Sequence, residues 1–537
     1  MRQFNQFFKG FEEKYERSIK ERAWISYLLT LLIMGLYFFF TLPSLSPQSP
    51  GLYSFLILTI LIFTGLRLLF GPKLGAKALK RTITIITLLL ILPIIFSIIS
   101  SPILRARSYS QLIGVETGIF EDEIEKISIS QVPIVDRETA AIIGEKHLGS
   151  LTDLVSQFEI DGQYSQITLN EKPIRVSPLR YFDLIKYITN RSDGIQYYVS
   201  VDMTSQEGKV VKLEESIYYS ASDYLMRNIY RKVRFQYPFA ILGETNFEID
   251  ETGKAYYVTP IISKTIGVFG GSDVKSAIIT DGHTGKSSRY KIEDLPTWVD
   301  RAYPTELIIN QLDQRGLYSG GFINSVFGQR NVTSTTEGYN YISIGDDIYL
   351  ITGVTSVRSD ESNLGFYYVN LRTKEARFYP LASATEYAAM YSAQGKVQEK
   401  EYTPTFPVIL NIQDRPVYFM SLKDRAKTAK MYALVDAQQF TNVLVGESVP
   451  ELFRAYIKNH PSKSGDESLL EEVTIKDIQE AILEGNSVYF FTVLENEKIY
   501  YTTAENLQSQ VLKLRIGEKI KIQSYEDDNL SIVEFME

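Results

Sequence analysis

The chain has 537 residues and no cysteine, which excludes disulfides, thiolate metal sites, iron–sulfur clusters and cysteine nucleophiles together. Its formal charge of −8 hides a division: residues 1–107 carry 13 basic and 4 acidic residues, and the remainder carries 43 and 60, so a +9 segment precedes a −17 one. A region that acidic lacks the clustered Lys and Arg that phosphate backbones require, which excludes nucleic acid as a partner and, for the region as a whole, disfavours an anionic lipid surface.

In chain order, three apolar runs come first, with no Asp or Glu between Trp24 and Ser100. They span Trp24 to Leu42, about Leu52 to Phe70, and about Ile83 to Ile99, each close to the roughly 20 residues that cross a hydrocarbon core. The first is too long for the apolar stretch of a cleavable signal, and two more follow it. Pro93 is expected to kink the third. Six basic residues precede the first run (Arg2 to Arg22), and Arg67, Lys73, Lys77, Lys80 and Arg81 surround the second loop, whereas Pro43 to Gly51 is uncharged. The positive-inside rule then places residues 1–23 in the cytoplasm and residue 101 onward outside, with Arg105 and Arg107 as the only opposing charges near the last span. Spans without an acidic residue make a poor ion pathway, so anchoring in the bilayer is the expected role. Association into a homo-oligomer through these helices stays open, although Gly35 stands outside any Gly-x-x-x-Gly pair.

Beyond Ser108 the pattern changes to short alternating runs rich in Tyr, Val and Ile. The expected fold class is therefore α+β: a three-helix transmembrane module (24–100), then a β-rich extracytoplasmic region of tandem hairpin and helix units (101–459). A linker (460–473) and a small β-barrel-like module (474–537), of the OB or SH3-like kind, complete it. Helices are predicted from Arg137 to about His147 with Asp136 as N-cap, from Ala382 to Ala393, from the Ser448-Val-Pro-Glu451 capping box to about Lys458, and briefly from Thr474 to Asp477. Strands and turns are expected to dominate Ile160 to Tyr379, with only a few helices between strands.

One pattern recurs: an apolar strand ends at Asp or Asn, a polar turn containing Lys follows, and a second strand begins. The copies are Tyr197–Asp202 with Glu207–Val211, Ala277–Asp281 with Gly282–Lys286, Phe366–Asn370 with Arg372–Ala376, and a weaker one at Tyr432–Asp436. Alternation buries one face, and Asp, Asn or Gly permits the tight reversal of a β-hairpin. These units resemble PepSY-type repeats, whose strands end in a V-D-x-x-T-G-K turn, with the best match at Ile278 to Tyr290. The whole arrangement is also similar to three-span envelope proteins of Gram-positive bacteria. The resemblance implies binding, inhibition or assembly at the cell envelope and supplies no catalytic residue.

Few residues suggest chemistry. His147, His283 and His460 lie in no metal-ligating spacing, and neither a metal nor a cofactor is expected. Gly282-His-Thr-Gly-Lys-Ser287 is too short between its glycines for a phosphate-binding loop and leads into a strand. Ser272-Asp-Val-Lys275 has the Ser-x-x-Lys spacing of serine acyl-enzymes without their partner motifs. Asp346, Asp347, Asp360 and Glu361 could supply paired carboxylates for glycoside hydrolysis, or they could sit in a solvated turn. Asn190 and Asn331 open glycosylation triplets that matter only in a glycosylating host. The 36 tyrosines suit strands and, secondarily, a glycan-stacking face. The expectation is a membrane-anchored binding, scaffold or regulatory protein of the bacterial envelope that engages an envelope protein or polymer without catalysis. The alternative is an envelope-polymer hydrolase or transferase working through paired carboxylates.

Overall fold

The structure, a computed structural model, describes residues 24–70, 75–124, 132–170, 172–357, 359–459, 471–483, 486–496, 498–503, 514–527 and 530–536. It is a mixed α+β chain in two compact units: one holds the apolar helices and four sheets up to Leu452, the other holds a barrel and begins at Phe453.

Three helices, α1 (Trp24–Thr41), α2 (Pro50–Phe70) and α3 (Ala76–Ile99), are long and apolar enough to cross a membrane. The third starts seven residues before the apolar run, because Lys77, Lys80 and Arg81 are good helix formers and extend it at its N-terminal end. Pro93 sits inside that continuous helix. The loop between α1 and α2 and the end of α3 both meet the sheet-bearing region. Leu45 N–H donates to Pro238 O at 2.9 Å, Ser44 Oγ donates to Ala240 O at 2.9 Å, and Gln48 Nε2 donates to Lys264 O at 3.1 Å. At the end of α3, Ser100 Oγ accepts the Val268 N–H at 3.0 Å.

After α4 (Pro102–Ser110) come β1 (Glu116–Thr117), α5 (Phe120–Glu123), α6 (Arg137–Gly149) and α7 (Thr152–Val155). Asp136 caps α6 as predicted, accepting the Thr139 N–H at 2.8 Å. The first sheet comprises β2 (Phe158–Ile160), β3 (Ser165–Leu169), β4 (Lys172–Tyr181), β5 (Ile195–Asp202) and β6 (Gly208–Ile217), with α8 (Leu184–Asn190) inserted between β4 and β5. Next, α9 (Ile229–Gln236) precedes β7 (Ile241–Leu242), β8 (Asn246–Ile249), β9 (Ala255–Ile266), β10 (Gly270–Asp281) and β11 (Ser287–Lys291). Helix α10 (Thr305–Tyr318) precedes β12 (Thr333–Thr335), β13 (Asn340–Ile344), β14 (Asp347–Ser356), β15 (Ser359–Asn370) and β16 (Ala376–Ala384). Helix α11 (Glu386–Lys396) precedes β17 (Thr403–Pro404), β18 (Val408–Asn411), β19 (Pro416–Lys423), β20 (Ala429–Asp436) and β21 (Val443–Gly446), and α12 (Val449–Asn459) follows.

The four sheets share one five-strand order, to which the third adds β1 as a parallel neighbour of β16. Two short strands both pair with one long strand, which pairs with a second long strand, which pairs with a last one: β2 and β3 on β4-β5-β6, β7 and β8 on β9-β10-β11, β12 and β13 on β14-β15-β16, β17 and β18 on β19-β20-β21. Each predicted hairpin is one of these antiparallel pairs. In every one the side chain at the end of the strand folds back on the turn. Asp202 Oδ1 accepts from Thr204 N and Ser205 N, Asp281 Oδ1 from His283 N and Thr284 N, Asn370 Oδ1 from Arg372 N and Thr373 N, and Asp436 Oδ1 from Gln438 N and Gln439 N. Four residues beyond the Asp or Asn, three of the turns need a left-handed residue: Gln206 (φ 60°), Gly285 (φ 67°) and Lys374 (φ 67°). Only Gly285 takes that conformation without steric cost, and the ring of Tyr219 closes over it, leaving no room for a Cβ. The second and third sheets share one core with α10, in which Val258, Ala277, Ile308, Leu350 and Val369 are buried.

Several expectations are corrected. Helices α8, α9 and α10 are the few that lie between the strands of 160–379, and α11 starts four residues later than predicted because Ala382 to Ala384 finish β16. The predicted helix at Thr474 is part of a strand. The barrel comprises β22 (Glu471–Leu483), β23 (Asn486–Val493), β24 (Ile499–Thr503), β25 (Lys519–Asp527) and β26 (Leu530–Met536), closed in the order β22-β23-β24-β26-β25. Alternation decides the matter: Val473 and Ile475 are buried in the barrel core while Thr474 and Lys476 face away. The barrel therefore begins inside the predicted linker, whose residues 460–470 lie outside the described ones.

Removing the turn acceptor should loosen its hairpin. Asp281→Ala leaves two backbone N–H groups without their partner and is expected to lower stability by about 1–3 kcal/mol. Asp281→Asn should be close to neutral, because Asn370 does the same work in its own turn. Melting of the detergent-solubilised chain checks the ranking, and equal losses in both variants would show that charge matters rather than acceptor geometry.

Candidate functional site

A cleft of about 930 Å³ opens where the first three sheets meet. Each wall is set by local structure. The first turn of α6 brings Arg137, β3 brings Ser165, β4 brings Arg175, the segment entering β8 brings Glu244 and Thr245, and β10 brings Ser272. The approach to α10 and its first turns bring Arg301, Thr305 and Glu306, and Tyr339 and Tyr341 close the side formed by β13.

Arg175 dominates the site. Strand β4 lies between neighbours on both edges and is covered on both faces, so a residue in its middle has little access to water. Arg175 is 6% exposed. Its Nε donates to Val135 O at 3.4 Å, and among the described residues no carboxylate pairs with it. Burial, reinforced by the neighbouring Arg301 charge, pulls its pKa down to about 10, so it is still cationic at neutral pH. Directly across the strand pair from it stands Gln166, also buried, whose amide N and O have no partner among the described residues. An isolated buried cation is costly unless an anion balances it.

Arg301 extends the same chemistry. Its Nη2 donates to Thr305 Oγ1 and Tyr341 OH, both at 3.2 Å, and its guanidinium lies 5.1 Å from the Tyr341 ring centroid. Its Nε is buried and without a partner among the described residues, as is the Tyr164 hydroxyl on the opposite wall. Arg137 is held to Gly162 O at 3.1 Å. Three guanidinium groups thus face two carboxylates, Glu244 and Glu306, across the cleft.

Two further carboxylates lie behind the wall. Glu248 on β8 is 0% exposed and accepts the backbone N–H groups of Asp300 at 3.0 Å and Arg301 at 3.3 Å. Asp300 is 1% exposed and accepts the Thr168 N–H at 2.7 Å. Burial raises both pKa values well above the usual carboxylate range, and the repulsion of Glu248 adds to the rise at Asp300. Held protonated, the pair fixes the backbone that carries Arg301. Neither residue lines the cleft, so neither can act as an acid or base on a bound polymer.

The residues singled out from sequence are not brought together. Asp347 pairs with Arg372 at 2.6 Å and accepts from Asn370 Nδ2, which makes it part of a turn, and Asp346 adjoins it. The side chains of Asp360 and Glu361 lie outside the described ones. His283 joins its hairpin turn to Ser216 O through Nδ1 at 2.8 Å, His147 lies over Gly208, and His460 lies outside the described residues. Among the described residues no cluster of His, Asp or Glu could hold a metal ion. Ser272 and Lys275 both lie on β10, with a β-bulge at Lys275. The lysine on the Ser272 hydroxyl is instead its cross-strand neighbour Lys264, at 2.6 Å, with its pKa lowered by burial. The cleft arginines were missed because their positions are scattered along the chain. The available signal was one charge inside the apolar run Pro173-Ile-Arg-Val176.

The buried acids give a pH dependence with a definite sign. Their pKa values are raised on folding, so the native state holds more protons than the unfolded chain. The contribution of Glu248 is complete below the unfolded carboxylate pKa and is lost as pH rises through about 7, and that of Asp300 falls in the same direction. Asp300→Asn keeps the acceptor for Thr168 and is expected to flatten the fall in melting temperature between pH 5 and pH 8. An unchanged slope in that variant would show that the pair is not held protonated.

No protein-family model matches the chain, and no curated protein matches it in sequence.

Proposed function

We propose that this protein is a membrane-anchored binding component of the bacterial cell envelope, with its globular region outside the cell, whose cleft takes up an anionic group of a ligand without covalent chemistry. The observation that carries this reading is Arg175: a residue 6% exposed, lining a cleft, with no carboxylate within ion-pair distance among the described residues and Asp136 acting on it only from further off. A fold normally neutralises such a charge internally, as Asp136 and Glu138 do for the buried Lys423 at 2.7 Å each. Leaving Arg175 open to the cleft makes sense when its counter-ion arrives with the ligand, as a carboxylate or phosphate would. The shared strand order and the repeated Asp or Asn turn support reading the four sheets as copies of one PepSY-like unit, a type associated with binding and assembly.

A catalytic reading has one specific observation in its favour, the 2.6 Å contact between Ser272 Oγ and Lys264 Nζ at the cleft. The paired-carboxylate version loses support because Glu248 and Asp300 are sealed behind the wall. Labelling of Ser272 by a fluorophosphonate probe, abolished by Ser272→Ala, would overturn the non-catalytic reading. The expected result is no labelling.

The cleft is tested with inorganic phosphate and succinate as probes on the full chain in detergent. Arg175→Met removes an unpaired buried charge at similar volume. It is expected to raise the melting temperature in the absence of anions by about 2 °C or more and to abolish the further rise that millimolar anion gives the parent protein. A variant that melts lower yet keeps the anion-dependent rise would refute the assignment. Orientation is tested separately. Lys286→Cys, the only thiol in such a chain, is expected to react with a membrane-impermeant maleimide on wall-permeabilised intact cells. Reaction only after lysis would invert the topology.

A further inference from the structure

One group of exposed apolar side chains of the globular region lies beside the end of α1. Phe182, Leu184, Ile185 and Ile188 stand out along α8 and the residues leading into it, and Leu225 and Met226 stand out at the tip of the loop before α9. Ile185 is 69% exposed and Leu225 is 67% exposed. Leu225 also has φ 52°, a conformation that a branched side chain adopts only at a cost and that here projects it from the loop. These residues belong to no core.

Their level relative to the helices is fixed by one side chain. Arg231 on α9 donates from Nε to Phe39 O at 3.0 Å and from Nη1 to Leu225 O at 2.6 Å, with its guanidinium 4.1 Å from the Phe39 ring centroid. Leu225 is therefore one guanidinium away from the last turn of α1, which ends at Thr41. Phe182, Asp183 and Leu225 share a hollow of about 480 Å³ with Phe39 and Phe40. On the neighbouring side Phe235 packs on Phe38 with ring centroids 5.2 Å apart, one turn further into the span. Whatever covers the outer end of α1 must also reach α8 and Leu225.

Charge around the patch differs from that of the region as a whole. Between Tyr224 and Gly243 there are Arg227, Arg231, Lys232 and Arg234 and no acidic residue, and Lys186 and Arg191 lie on or beside α8. Arg227 reaches Arg191 O at 2.7 Å, so the two basic stretches adjoin. Glu159, Asp183 and Asp223 line the hollow as well, and apolar tips with an excess of Lys and Arg beside them are the pattern of a surface that sinks its apolar face to the headgroup boundary.

We infer that α8 and the loop at Leu225 form a second membrane contact, inserted in the leaflet that receives the outer end of α1, with phospholipid as its occupant. The patch is continuous with the transmembrane helix surface, which is what selects lipid over a protein partner. It holds whatever the cleft binds. The contact would seat the globular region on the bilayer at two places, its helices and this patch, and keep it from swinging about the chain after α3.

The absence of cysteine makes the test clean. Ile185→Cys, Leu225→Cys, Phe40→Cys and Lys286→Cys, each carrying a nitroxide, are placed in nanodiscs of phosphatidylcholine and phosphatidylglycerol, and collision with oxygen is compared with collision with a water-soluble nickel chelate. Labels at Ile185 and Leu225 are expected to match Phe40, with an oxygen-to-nickel ratio several-fold above that at Lys286. Labels at Ile185 and Leu225 that behave like Lys286 would place the patch in water and overturn the inference. All four positions are exposed in the fold or face lipid, so a folding failure does not confuse the outcome.

Discussion

A single local interaction sets the geometry from which the sheets follow: the side-chain oxygen of an Asp or Asn at the end of a long strand, accepting two backbone N–H groups of the turn beyond it. It fixes where the chain reverses, hence which residues of the two strands stand opposite each other, hence which face of the sheet is apolar. A one-residue slip at Asp281 would turn Ala277 and Ile279 out of the core they share with α10 and the third sheet. The same oxygen does this work at Asp202, Asn370 and Asp436, and the strand order around each is the same.

That dependence explains what was legible in the sequence. Strand alternation and an Asp or Asn at the reversal are local signals, so all four hairpins could be read, and so could the caps at Asp136 and Ser448. The left-handed turn position was not legible beyond Gly285. Gln206 and Lys374 occupy it with ordinary side chains, supported by the ladders on either side, and this is why only one copy carries the full Thr-Gly-Lys run. Helix α10 was hidden for a different reason. Its buried face includes Gln311 and Gly316 as well as Ile308 and Leu312, and Gln311 Nε2 donates to Ser272 O at 2.7 Å and Asp273 Oδ1 at 3.3 Å on β10. Tertiary partners, not periodicity, complete that face. At Thr474 the capping pattern was present but the competing two-residue alternation won, because the barrel buries every second residue.

The cleft shows how polar groups are distributed when a fold has a site to keep. Lys423 is neutralised inside the fold, Lys374 is neutralised by Asp273 at 2.7 Å, and Glu248 and Asp300 are neutralised by retaining protons. Arg175 and Arg234 both meet only backbone carbonyls among the described residues, and of the two Arg175 lines the cleft. Its cross-strand neighbour Gln166 has both amide atoms unpartnered among the described residues, and the Arg301 beside it has a free Nε. Buried polar atoms without a partner occur in several parts of the described fold, and those of Tyr164 and Arg301 line this cleft. No sequence pattern announces such a place, because it is built from residues of three different sheets.

The hydrogen bonds from the first loop have a consequence for biosynthesis. Ser44, Leu45 and Gln48 are made early, as part of a helical hairpin, yet their partners Pro238, Ala240 and Lys264 are synthesised about two hundred residues later. Between the two events the loop's polar groups must wait in contact with water or headgroups. The inserted helices therefore act as a pre-placed seat, and the second sheet completes its docking only after its own strands have paired. Assembly of this protein has an order written into it, with the membrane module first and the body closing back onto it.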